Sequence, residues 1–328
     1  MASSIKGPVE LPASRFDLST YWGRVQHCAE ISDPTMLLNT SKDIEQAKRL
    51  VWDYKNGVIP SMTPELWRAK KILDSAIHPD TGETVILPFR MSSCVLSNLV
   101  VTSGMLTPNL GTAGTLFWQV ANQSLNVAIN TANANKSHPL TTQQIATSYA
   151  LAVSASCGVA LGLNSIVPRL KSISPVTRTV LGRLVPFAAV VSAGVVNVFL
   201  MRGEEIRKGI TVTTSEGKDV GTSKTAAFHA VGETAASRVI NATPVMVIPP
   251  LILVRLQKSK FLKGKSKKVE VLTNIGLIFS TSLVALPFAL AVFPQRREMS
   301  VEKLEPEFHN LKDSKGAPIS TLFFNRGI

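Results

Sequence analysis

The sequence predicts an all-α, polytopic helical membrane protein: about five transmembrane helices behind a small, mostly helical, soluble N-terminal domain. Three observations predict it. Charged residues make up only 17% of the 328-residue chain and hydrophobic residues 45%, against roughly 25% charged in an average soluble domain. The shortfall lies after Arg90, where residues 91–135, 137–168, 184–201, 239–254 and 271–295 contain no Asp, Glu, Lys or Arg. Most of these runs, with their edges included, reach or approach the roughly 20 apolar residues that carry a helix through a hydrocarbon core about 30 Å thick. Finally, the basic residues that give the net charge of +13 cluster between those runs, as loops of a membrane protein do, and not on one face of a nucleic-acid-binding domain. The predicted partner is a lipid bilayer; no nucleic-acid partner is predicted.

Residues 1–90 form the predicted soluble domain. Thr40 or Ser41 caps a helix ending near Lys55, with Gly57 beyond its end, and Ile44, Ala47, Leu50, Val51 and Tyr54 share one face. Thr63-Pro64 opens a second helix reaching about Ile77. Trp22, Trp52 and Trp67 fit either the packing of this domain or a membrane interface. The start carries no secretory apolar segment, and Glu10 and Asp17 among few basic residues are unlike a transit peptide, so organelle targeting would be internal.

Residues 91–295 form the predicted transmembrane domain, and 296–328 a C-terminal tail. The spans fall at about 98–133, 144–167, 180–201, 233–255 and 271–293, the first broken near 107–111 by Thr107-Pro108-Asn109-Leu110-Gly111. Ile210–Thr213 and Lys218–Gly221 flank a Glu-Gly turn and predict a small hairpin. Pro244, Pro249 and Pro250 are expected to interrupt the fourth span. The loop at 168–183 holds Arg169, Lys171, Arg178 and Arg183; the loop at 255–270 holds Arg255 and six lysines. Five spans put both loops on the side of the N-terminus, and the bias of basic residues toward the inner side then places the N-terminus inside and the C-terminus outside.

Inside the first span lies NQSLNVAINTANAN, residues 122–135, rich in carboxamides and free of charge. On a helix, relative to Asn122, Asn126 sits at about 40°, Asn130 at about 80°, Asn133 at about 20°, Gln119 at about 60° and Gln123 at about 100°. Six carboxamides thus share one stripe, with Trp118, Ala121, Leu125, Ala128, Ile129 and Ala132 opposite; Asn135 falls off it. Burying an unpartnered carboxamide costs roughly 2–7 kcal/mol, so the stripe cannot face lipid. Three roles satisfy that: hydrogen-bonding glue between helices, the polar face of an interfacial helix, or the wall of a polar cavity. As a wall it suits a zwitterion, because each carboxamide offers both an acceptor and a donor; a polycarboxylate would need a cluster of Arg or Lys.

Other polar residues fall at membrane depth. Asn164, Asn197, Asn241 and Asn274 lie within or at the ends of spans, and Arg238 and Glu233 begin the fourth. Asn197, Arg238, Asn241 and Asn274 are candidates for substrate contact or for structure; snorkelling to the interface is the favoured reading of Glu233 and Arg238. Arg183 and Arg202 bracket the third span. His78-Pro79-Asp80-Thr81-Gly82-Glu83 predicts a turn, with Gly82 free to take positive φ; as a metal site it would press three ligands into one turn. Cys28, Cys94 and Cys157 make neither a disulfide framework nor a zinc spacing. No nucleophile, base and orienter are suggested together, so no enzyme, metal or cofactor is predicted.

Several stretches together carry a resemblance. HPDTGE at 78–83, Arg90-Met91-Ser92, FWQ…NQSLNVAIN from Phe117 to Asn130, GRLVPFAAV at 182–190 and FFNRGI at 323–328 resemble the sideroflexin family over essentially the whole chain, and SRFDLSTYWGR at 14–24 resembles its fungal members. The resemblance implies a mitochondrial inner-membrane protein of about five spans; the inner side given by the basic loops, and with it the N-terminus, is then the matrix, and the C-terminus lies in the intermembrane space. It implies transport of small neutral amino acids, serine above all, feeding one-carbon metabolism. The family has also been linked to tricarboxylate transport and to iron handling; a non-transporting scaffold is the remaining alternative. The chain departs from the family at Thr131 and Ala134, where an aromatic or basic residue is frequent after the asparagine motif.

Overall fold

The computed structural model describes residue 5 and residues 7–78, 81–107, 110–133, 141–294, 296–309, 311–312 and 318–326. Expectations resting on Pro79, Asp80, Pro108, Asn109, Ala134, Asn135, residues 136–140, Gly327 and Ile328 lie outside these described residues.

Three helices precede the membrane region: α1 (Tyr21–Ile31), α2 (Ser41–Lys55) and α3 (Pro64–Ala76). Thr40 and Asp43 close a reciprocal capping box on α2, and the Thr63 hydroxyl accepts from Leu66 N at the start of α3, as the sequence predicts. Ile44, Ala47, Val51 and Tyr54 of α2 pack on Leu66, Ala69, Ile72, Leu73 and Ala76 of α3 in a core of their own. Next come α4 (Cys94–Met105), α5 (Thr112–Asn133), α6 (Thr142–Ile166), α7 (Pro175–Met201), the short α8 (Gly203–Lys208), α9 (Lys224–Lys258) and α10 (Lys267–Leu290). Among the described residues four helical stretches are long and apolar enough to cross a membrane: Thr142–Arg169, Pro175–Met201, Lys224–Lys258 and Lys267–Leu290. The 22-residue α5 spans about 33 Å at 1.5 Å per residue; its carboxamides are what lower its hydropathy.

Small residues let these helices approach. Ser148, Ala152, Ser156 and Ala160 form the buried edge of α6. Gly104 of α4 meets the Trp118 indole so closely that an added Cβ would stand 2.1 Å from Cε2. Trp118 and Leu125 therefore pack against Val101, Met105 and, from α9, Met246. The apolar side of the α5 stripe is an interior side; the exposed line of α5 is Phe117, Val120 and Ser124. Contrary to expectation, Pro244, Pro249 and Pro250 do not interrupt their helix, which runs unbroken from Lys224 to Lys258. A proline removes one donor, and packing against α7 and α10 on both flanks holds the helix through it.

Where sequence reasoning sees only a tail, the chain builds a sheet. β1 (Ile210–Thr213) and β2 (Asp219–Ser223) form the predicted hairpin, and β3 (Arg296–Ser300) with β4 (Thr321–Asn325) extend it in the order β2-β1-β4-β3, all antiparallel. Val212, Leu322 and Phe324 pack on Ala226 and Ala230 of α9 beneath. Glu305 binds the start of α9: Oε1 accepts from Lys224 N at 2.8 Å and Thr225 N at 2.9 Å, and Oε2 from the Ser223 hydroxyl at 2.6 Å.

The bundle has a sheet end and a basic end, the latter carrying the turns after α6 and α9. The Tyr21 hydroxyl donates to Phe288 O at 3.1 Å and Arg24 Nε to Ala291 O at 2.9 Å, so α1 caps the C-terminal end of α10 beside the sheet. From there α4 descends until Leu106 O meets Asn274 Nδ2 near the start of α10, at 3.4 Å, and α5 returns. This corrects the expected topology. The α4–α5 hairpin adds no net crossing, so the N-terminal helices and the C-terminal strands share one end of the bundle instead of lying on opposite sides.

Candidate functional site

The packing of α5 decides what its carboxamides meet. Gln119 is 1% exposed, and its Oε1 accepts from the Ser156 hydroxyl of α6. That contact is interhelical glue. Asn122 and Gln123 are also buried, but Asn122 Nδ2 and Gln123 Nε2 have no hydrogen-bond partner among the described residues. Asn126 and Asn130 are half-buried further along the same side, and the Asn133 side chain lies outside the described residues. A buried donor left unmade costs about 1–3 kcal/mol, and native interiors keep few such groups without water or a ligand to complete them.

The stripe begins at a cleft of about 340 Å³ at the basic end, lined by Gln119 and Thr115 of α5, Leu106 and Thr107, Asn164 of α6, and Thr179 and Arg183 of α7. Arg183 Nη1 is buried there without a partner among the described residues, with Glu270 of α10 in electrostatic range. The lining is thus not free of charge: it holds one guanidinium, which sequence reasoning reads as an interfacial bracket. Its place in the sequence fits that reading, since Arg183 and Arg202 are about 28 Å apart along α7 by rise. Only the packing of α5 and α6 around it shows an inward-turned side chain.

Beyond the cleft, other unsatisfied polar atoms continue through the bundle. Asn274 Oδ1, Ser103 Oγ, Asn241 Oδ1 and Asn197 Oδ1 are buried and unpartnered among the described residues. Arg238 is exposed and faces Gly194 of α7, where an added Cβ would lie 3.7 Å from Arg238 Cβ. These residues lie on α10, α4, α9 and α7. Glu233 Oε1 accepts from Arg297 Nε at 2.9 Å, a partner contributed by β3 and invisible to local sequence.

The hexapeptide at 78–83 stands apart. His78 N donates to Glu83 O at 2.8 Å, Gly82 N returns to His78 O at 3.0 Å, Thr81 N reaches His78 Nδ1 at 3.4 Å, and Gly82 takes φ of +70°. His78, Thr81, Gly82 and Glu83 thus form the predicted turn, closed by an Ile77–Thr84 bridge. Among the described residues no three His, Cys, Asp or Glu side chains gather to hold a metal ion. The three cysteines are free and half-buried.

Two acid–base features lie outside the spans. Burial opposes the charge of Glu305, but the Ser223 hydroxyl and the backbone amides at the start of α9 outweigh it together and hold the carboxyl at about 2. Burial likewise disfavours the charge of Arg326, which Glu233 favours and Arg202 and Arg238 oppose.

Long apolar helices enclosing unsatisfied carboxamides and an inward guanidinium define a multi-pass helical membrane protein with a polar interior. The chain belongs to the sideroflexin family: the family profile described as Sideroflexins matches residues 10–328. It is 69% identical to Sideroflexin FSF1 of Saccharomyces cerevisiae over 328 residues, 100% of both chains. It is 60% identical to Sideroflexin fsf1 of Schizosaccharomyces pombe over 319 residues, 97% of this chain and 99% of that one, and 38% identical to Sideroflexin-1 of Homo sapiens over 330 residues, 100% of both. No solved structure matches it significantly.

Proposed function

We propose that the chain transports small neutral amino acids, serine above all, across the mitochondrial inner membrane, supplying one-carbon metabolism. The observation that carries this reading is the pair of buried amide donors of Asn122 and Gln123, unpartnered among the described residues and about one turn along α5 from Gln119, which lines the cleft that holds Arg183. A zwitterion offers that arrangement what it lacks. Its carboxylate fits the open nitrogen of Arg183, its ammonium fits carboxamide and backbone oxygens, and a side-chain hydroxyl can both donate and accept. A tricarboxylate would bring up to three negative charges to a single guanidinium, which favours the neutral amino acid over that alternative. The basic loops face the matrix by the positive-inside bias, and the N-terminal helices and the sheet then share the opposite compartment.

Uptake of radiolabelled serine into proteoliposomes, with citrate in parallel, tests this reading. Asn122→Ala removes a donor without a partner among the described residues, so folded yield stays within error while serine uptake falls about tenfold, the loss of one hydrogen bond of about 1.4 kcal/mol. Ser156→Ala strips Gln119 of its partner and lowers thermal stability instead. Equal losses of yield and uptake in Asn122→Ala would make the stripe glue; citrate uptake without serine uptake would overturn the substrate class.

A further inference from the structure

At the sheet end the structure gathers charged groups that the carboxamide stripe does not use. Arg326 follows β4 directly. Its side chain is 8% exposed, its Nε and Nη1 have no partner among the described residues, and its guanidinium sits 5.5 Å from the centroid of the Phe293 ring. Pairing of Phe324 with Arg297 brings β3 alongside, where Arg297 holds Oε1 of Glu233. The other oxygen of that carboxylate, Oε2, is buried and unpartnered. Arg202 donates to Thr234 Oγ1 at 2.8 Å and forks onto Glu205. Arg238 lies between Glu233 and the middle of α9, and with Arg202 and Glu233 it is in electrostatic range of Arg326. Four guanidiniums here face two carboxylates, and Arg326, the one of the four that is buried, leaves Nε and Nη1 without a hydrogen-bond partner among the described residues.

A buried guanidinium with open donors is costly unless an anion completes it. Nε and an Nη of one arginine form the planar fork that takes two carboxylate oxygens side by side. We propose that Arg326, with Arg238 and Arg202 around it, is a second docking site for a small carboxylate, placed at the sheet end as Arg183 is placed at the basic end. The identity of that carboxylate as the transported amino acid rests on the transport reading; the binding site itself does not.

The test is carboxylate binding to the purified full chain in detergent, read as a shift in Tm against sodium acetate at constant ionic strength, in an Arg183→Gln background that removes the cleft guanidinium. Saturating acetate raises Tm by roughly 2–4 °C in that background, and Arg183→Gln/Arg326→Gln abolishes the shift. Arg326→Lys, which keeps the charge without the fork and guards against a misfolded glutamine variant, needs several-fold more acetate. Glu233→Gln removes the competing internal carboxylate and needs several-fold less. A shift absent from the Arg183→Gln protein, a shift kept when Arg326 is glutamine, or an unchanged titration in Arg326→Lys overturns the proposal. Protection by anionic phospholipid micelles without protection by acetate also overturns it and assigns the cluster to a lipid headgroup. Acetate binding at Arg326 in a protein that takes up no serine would refute the transport reading and leave the site standing.

Discussion

Asn122 and Gln119 are chemically near-identical and one helical turn apart, yet Gln119 has Ser156 and Asn122 has an open donor. The angular stripe was legible in the sequence because it depends only on helical period. Which members are glue was not, because the partner comes from α6. The same limit applies at the ends of the bundle. Arg326 stands in a recognisable terminal stretch, but its surroundings come from four separate segments. Glu305 has no local signal at all, since the Ser223 it binds is 82 residues away. Its effect is nonetheless measurable. The carboxyl is held at about 2 when folded, below its ordinary value near 4.5. The stability it contributes is therefore complete above about pH 4.5 and is lost as pH falls from there toward 2. Glu305→Gln lowers Tm at pH 7 and flattens the loss between pH 5 and pH 3, and Glu305→Ala costs about 1–2 kcal/mol as a lost helix cap. Thermal melts of the three proteins across that range, in one detergent, check both statements.

At the scale of elements, length and apolarity identify α6, α7, α9 and α10 directly, whereas α4 and α5 depend on each other. The 12 residues of α4 cover about 18 Å, short of a bilayer core, and the helix is completed as an interior element by α5 and α10. Gly104 is the contact that lets it seat. Gly104→Ala forces a Cβ into the Trp118 ring and destabilises the fold by about 1–3 kcal/mol. Ser103→Ala beside it, whose hydroxyl has no partner among the described residues, is neutral or mildly stabilising. Thermal unfolding of the two variants separates the contact from a general sensitivity of α4. The prolines of α9 illustrate the converse. Read locally they predict a break, but Pro249 and Pro250 are buried among neighbouring helices, and the packing holds the helical path that the missing donors alone would weaken.

At the scale of the whole molecule, four of the about five expected spans are long apolar helices among the described residues, and the parity of crossings was not legible. Counting 98–133 as one span gave opposite termini; the α4–α5 hairpin and the contact of α1 with Phe288 and Ala291 bring them together. Epitope tags at the two termini are accordingly accessible to antibody or protease from the same face of the membrane, and a tag in the 259–266 turn only from the other. Opposite accessibility of the terminal tags would refute this arrangement. On the transport reading proposed above, the bundle encloses a water-filled seam that a small amino acid follows, and not a dry polar lock. Single-cysteine labelling tests it most directly, with Cys28, Cys94 and Cys157 replaced by alanine and Asn122→Cys, Asn126→Cys or Asn130→Cys introduced in turn. Each is expected to react with a small, membrane-impermeant thiol reagent, with serine slowing the reaction and citrate leaving it unchanged. Folded protein in which none of the three positions reacts would contradict it and leave the carboxamides as glue.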